Sequence, residues 1–128
     1  MPDPSLSLIV FHLELAICRL DRDGAIPEWA AEGEFLSITR TPDELSIVCP
    51  AYVVPEGQAC DRGWRAWRVA GTLDLTAIGV LAALASPLAE AGVSIFAIST
   101  HDTDYLLVKA EDMERAGVAL RRAGHQVP

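Results

Sequence analysis

"GVSIFAISTHDTDYLLV", residues 92–108, holds two apolar runs parted by six polar residues, Ser99 to Asp104. Short runs of Val, Ile, Phe, Tyr and Leu around a polar cluster read as two strands joined by a turn. Strands are therefore expected at 93–99 and 104–108. Upstream, apolar residues at 78, 81, 82, 85, 88 and 89 recur at helical spacing, so Thr76 to Ala91 reads as a helix with Gly92 as its left-handed cap. Pro87 disturbs that helix, because an interior proline removes a hydrogen bond at about 3 kcal/mol. Ser86-Pro87 is accordingly read as a helix restart, serine as cap and proline as first residue. "RAWRVAGTLDL" (65–75) supplies a strand at about 67–73. Downstream, Glu111 to Ala123 reads as a second helix, with Glu111 and Asp112 at its start and Arg121 and Arg122 at its end. That charge order suits the helix dipole, and Gly124 follows as a stop. The order is β-α-β-β-α, and only "HQVP" is left for a last strand.

The first half is rich in strand signals and poor in helix. "LSLIVFHLELAICRL" (6–20) is one bent strand or two, ended by a "DRDG" turn at 21–24. "PEWAAEG" (27–33) carries a turn or two of helix, "FLSITR" (35–40) and "LSIVC" (45–49) are strands, and Pro50 to Gly63 reads as a linker. At an offset of 60, "SITRTPDELSIV" (37–48) aligns without gaps to "AISTHDTDYLLV" (97–108), pairing Thr39 with Ser99 and Glu44 with Asp104. Both segments are strand, polar turn, strand. The offset is close to half the chain, which points to a tandem duplication whose halves share one core, since about 60 residues alone fold marginally.

Composition limits the partners. The chain has 128 residues, 51% of them hydrophobic, enough for a real core. Eighteen Asp and Glu against ten Lys and Arg give a net charge of −8, which repels phosphate backbones and anionic lipid. No nucleic-acid or membrane partner is expected. Cysteines at 18, 49 and 60 are odd in number and lack CxxC spacing, which fits a reducing, cytoplasmic setting. The start "MPDPSLSLIVF" has no basic region ahead of its apolar run and does not read as a signal peptide.

"PLAEAGVSIFAISTHDTDYLLV" (87–108), with "GTLDL" before it and "TRTPDELSIVCP" (39–50), resembles the small tandem ACT-domain proteins of bacteria, a group similar to the ACT modules of the animal cytosolic arginine sensors. The resemblance spans roughly residues 12–124. It implies an α+β architecture: two tandem ACT subdomains of ferredoxin-like βαββαβ fold, residues 1–62 and 63–128, the first helix-poor. It also implies a regulatory role in which small ligands, often amino acids, bind between ACT units. In the arginine sensors the ligand's α-carboxylate meets backbone amides at the start of a second strand, which carries over to Ser46 and Ile47. The ligand's cationic groups meet a strand-turn-strand, with a carboxylate at the position of Asp104 and a threonine at that of Thr100; His101 lies in the same turn. The helix start Ala77, Ile78 and Gly79 faces the same space. The sensors carry an acid where Ala77 stands, so the second anion for a guanidinium is missing. The expectation is a non-catalytic module for a small ligand, an amino acid by the family's habit, without cofactor or metal, and assembled as a homodimer to cover its sheet edges.

Each candidate has a plainer reading beside it. Asp104 is either a ligand contact or a strand-start residue that satisfies turn amides. His101 and Asp102 are adjacent turn residues that do not converge on a point, and no second His sits at ligand spacing, so a metal is not expected. Cys49 before Pro50 is a nucleophile in an enzyme reading and a small buried hydrophobe otherwise. The alternatives to a sensor are a structural ACT pair with a vestigial site, or a small enzyme using Cys49 or His101.

Overall fold

The computed structural model describes residues 4–128. Its strands are β1 (Leu8–Leu20), β2 (Ser37–Arg40), β3 (Leu45–Pro50), β4 (Asp61–Val69), β5 (Phe96–Ser99) and β6 (Asp104–Lys109), and its helices are α1 (Val80–Glu90) and α2 (Met113–Arg122). The strands form one antiparallel sheet in the order β2-β3-β1-β4-β6-β5. The chain divides into two compact units, Leu13–Trp64 and the combination of Met1–His12 with Arg65–Pro128. Within the first, the sheet order runs from β2 through β3 and β1 to the start of β4. Within the second, it runs from the start of β1 through β4 and β6 to β5. Each order is that of a ferredoxin-like sheet. At 13 and 9 residues, β1 and β4 are the longest strands, and each contributes to both units.

In the second unit Trp67, Val69, Leu106 and Val108 from the strands pack with Leu84, Leu88, Ala116 and Leu120 from the helices. The alternation of the strands and the 84/88, 116/120 spacing of the helices turn these residues to one side, as their periods require. In the first unit Ala16 and Cys18 of β1 lie with Ile47 and Cys49 of β3 in a second cluster. The pairing of Ala16 with Cys49 and Cys18 with Ile47 puts all four on one face. Helix is nearly absent there, the segment after β1 making only a 3-10 turn, Glu28–Ala31, behind Pro27.

Several boundaries differ from expectation. The strand expected at 67–73 is β4, Asp61–Val69, because Gly71 takes φ +81° and Leu73 N–H turns away to Asp102 O at 2.6 Å. The Pro50 to Gly63 linker is instead a 3-10 turn at Ala51–Val53 followed by the start of β4. Val53 and Val54 are buried there, and the Arg62 guanidinium donates to Ala51 O at 2.9 Å and Val54 O at 3.4 Å. "HQVP" makes only a single parallel bridge, Gln126 to Ser7, and the place beside β4 is filled by β1.

The helix expected from Thr76 starts at Val80, since Asp74 Oδ1 accepts from the Thr76 amide at 2.8 Å and hydroxyl at 2.6 Å and holds 74–77 as a turn. There is no restart at Ser86-Pro87: α1 runs through Pro87. The proline leaves the carbonyl of Ala83, four residues back, without its helical donor. His125 Nε2 lies 2.9 Å from that oxygen, and the Leu6 amide donates to His125 Nδ1 at 3.1 Å. With Nδ1 accepting, Nε2 carries the proton and replaces the missing donor. The same imidazole therefore repairs the helix and fastens the chain ahead of β1.

Candidate functional site

A cleft of about 320 Å³ opens in the second unit between the segment 73–82 and the β5–β6 turn, with Ser99, Thr100, His101, Thr103 and Asp104 on the turn side. Three contacts fix its walls. Thr103 Oγ1 donates to Val69 O at 2.7 Å, holding the turn to the end of β4. Leu73 N–H donates to Asp102 O, holding the loop to the turn. Thr100 N–H donates to Thr103 O at 2.8 Å, and the Thr103 amide returns a bond to Thr100 Oγ1 at 3.3 Å.

On the other wall Gly79 is the N-cap of α1, at φ +83° and with no side-chain capping bond. A left-handed glycine is free of the Cβ penalty, but it also has no side-chain acceptor. The first amides of a helix have no partner within the helix, and Val80 and Leu81, whose amides are among them, both line the cleft. Asp104 stands opposite, half-buried, its carboxylate without a hydrogen-bond or ion-pair partner among the described residues. Donors with a dipole on one side and a lone carboxylate on the other match a zwitterion's two ends. Asp74 is at the rim, its carboxyl held below the usual range by the Thr76 hydroxyl and amide.

Of the residues nominated from sequence, Ala77, Gly79, Thr100, His101 and Asp104 line this cleft. Ile78 does not: it is 93% exposed. Ser46 and Ile47 belong to the other unit, where β3 is flanked by β1 and β2, Ser46 facing Arg19 and Thr39, Ile47 facing Cys18 and Ile38. A strand laddered on both sides has its amides committed to its neighbours, so neither residue offers a spare donor for a carboxylate. His101 pairs with Asp102 at 2.9 Å, with the imidazole 82% exposed. Cys49 is fully buried and its thiol is pushed above its ordinary value by burial, with Cys60 adding. No group of three or more His, Cys, Asp or Glu side chains among the described residues is placed to hold a metal ion. Sequence reasoning missed Val80 and Leu81, whose contribution is backbone and carries no residue-type signal, and Thr103, which looked like any turn residue.

An ACT-domain family model matches residues 59–122, half of the chain, covering β4 to the end of α2 and the whole cleft. The chain belongs to the ACT-domain family. A separate model of an N-terminal domain matches residues 14–57. No curated protein matches the sequence. Among solved structures, a protein of Agobacterium tumefaciens (Atu0741) is 39% identical, with 98% of this chain and 93% of that one covered at a TM-score of 0.92. A protein of Vibrio cholerae (VC0802) is 25% identical, with 94% and 91% covered at 0.76. The regulatory subunit of aspartate kinase from Thermus thermophilus shares the fold at 12% identity, with 94% and 99% covered at 0.63. In this ACT protein no helix among the described residues is long and apolar enough to cross a membrane.

Proposed function

We propose that this ACT protein is a non-catalytic regulatory module that binds a small amino acid in the cleft between 73–82 and 99–104, in the cytoplasm. The observation that carries the reading is the unpartnered Asp104 carboxylate across the cleft from the open amides of α1. The ligand's carboxylate meets the amides of Val80 and Leu81, and its ammonium meets Asp104. The turn reading of Asp104 is less favoured, because Thr100 and the backbone already satisfy that turn. The carboxylate position differs from that of the arginine sensors, since Ser46 and Ile47 are committed to the sheet, and with Ala77 in place of an acid a guanidinium has no second anion, so the ligand carries an uncharged side chain. About 320 Å³ is at the small end of ligand pockets. The two halves, residues 1–62 and 63–128, are read as tandem ACT subdomains, the first having lost its helices, and the functional form as a homodimer.

A thermal-shift screen against the twenty amino acids tests the reading. A ligand at a hundred times its Kd adds about 2.7 kcal/mol, and a melting temperature unmoved by all twenty removes the sensor reading. Asp104→Asn keeps the shape and removes the charge. It should weaken binding roughly ten- to a hundredfold, the scale of a charge-assisted contact, and leave the ligand-free melting temperature unchanged. Light scattering at micromolar protein should give twice 13.8 kDa, and the monomer mass contradicts the dimer.

A further inference from the structure

The three cysteines, scattered in sequence at 18, 49 and 60, come together in the unit Leu13–Trp64. Cys18 on β1 and Cys49 on β3 share the buried face, and Cys60, the residue before β4, packs against the cluster that holds them. Access is unequal: Cys18 and Cys49 are 1% and 0% exposed, whereas Cys60 is half-buried and reachable from solvent.

We propose that Cys60 and Cys18 form a thiol pair that reacts with hydroperoxides and closes into a disulfide. The Cys60 sulfur attacks the peroxide O–O bond, forming an S–O bond and releasing water from hydrogen peroxide, and becomes a sulfenic acid. The Cys18 sulfur then displaces the hydroxyl from Cys60, its proton leaving with that hydroxyl as a second water. Two thiols lose two electrons and one peroxide gains them. Peroxide reaches the half-buried Cys60 before the buried Cys18, so Cys18 serves as the resolving thiol; burial, then Cys60 and Cys49, push its thiol up to about 12.

Geometry selects Cys18 over Cys49. In the β1–β3 ladder Ala16 faces Cys49, so Cys18 and Cys49 are diagonal neighbours. Diagonal residues are about 7–8 Å apart, beyond the roughly 4.4–6.8 Å between Cα atoms that a disulfide accepts. Cys60 lies outside that ladder, one residue before β4, and β4 lies beside β1, the strand of Cys18, with β3 and Cys49 one strand further away.

The test treats the full-length reduced protein with hydrogen peroxide, blocks remaining thiols and maps the peptides. The expected product is an intramolecular Cys18–Cys60 disulfide, lighter by two hydrogens, reversed by dithiothreitol, with Cys49 still alkylatable and a melting temperature several degrees higher. Cys60→Ser, a change at a half-exposed position, should leave Cys18 and Cys49 reduced. Cys18→Ser should carry Cys60 on to sulfinic acid; if that buried variant does not fold, the wild-type map and Cys60→Ser decide. A Cys18–Cys49 link, a Cys60–Cys60 dimer, sulfinic acid on Cys60 beside a free Cys18, or thiols untouched by a peroxide dose that oxidises free cysteine overturns the proposal.

Discussion

His125 shows how much one side chain settles in this protein. It follows Gly124 at φ +98°, and its own amide returns to Leu120 O at 3.1 Å, so the terminating turn of α2 aims the imidazole inward. There it serves the Ala83 carbonyl that Pro87 strands and the Leu6 amide. Removing it leaves the buried Ala83 carbonyl and the part-buried Leu6 amide unpaired, at about 1–3 kcal/mol for a fully buried group and less for the other. We expect His125→Ala to destabilise by about 2–4 kcal/mol in urea unfolding. In a Pro87→Ala background the new amide can bond Ala83 O, so the cost of His125→Ala should fall by at least about 1 kcal/mol, a coupling that a double-mutant cycle reads directly. Strict additivity would show that the imidazole does not stand in for the helix donor. From sequence, Pro87 was legible as a conflict and His125 was not, because the partner that resolves it is 42 residues away in sequence.

Among elements, the two hairpins are alike in a way that alignment only partly anticipated. In β2–β3, Arg40 faces Leu45 across the turn 41–44; in β5–β6, Ser99 faces Asp104 across 100–103. Thr41 donates through its amide to Glu44 O at 2.9 Å as Thr100 does to Thr103 O, and each threonine hydroxyl accepts from the amide three residues on. The matching residues are thus 59 apart, not 60. A one-residue slip inverts every side chain between faces, so Asp104 corresponds to the buried Leu45 rather than to Glu44. The hydrophobic pattern revealed that two hairpins exist, but a gap-free alignment with two identities could not fix their register. The opening stretch is interrupted because Thr100 and Thr103 build a turn while Asp104 stays free for the cleft. Thr103→Val tests the tie between that turn and β4: it removes the bond to Val69 O at 2.7 Å, nine-tenths buried with its residue. A loss of about 1–3 kcal/mol is expected by thermal unfolding, with faster amide exchange at Leu73; exchange unchanged there would show that the loop is held without it.

Over the whole molecule, the legible parts were those with strong local patterns, the hairpins, α2 and the poverty of helix in the first half. The cleft's turn side was readable through Thr100, His101 and Asp104, whereas its helix side depends on backbone amides uncovered by Gly79, and the start of β4 was hidden because "DRGWR" looks like loop until its neighbours in the sheet are known. The long strands β1 and β4 each supply residues to both compact units. Fragments 1–62 and 63–128 expressed alone should therefore lack native secondary structure by circular dichroism and regain it on mixing. A stable second fragment would show that β1 is dispensable to it. The shared strands also bear on inheritance. A crossover at the midpoint of the gene would hand each descendant a half whose sheet is one strand short, so exchange between relatives is workable only for both units together.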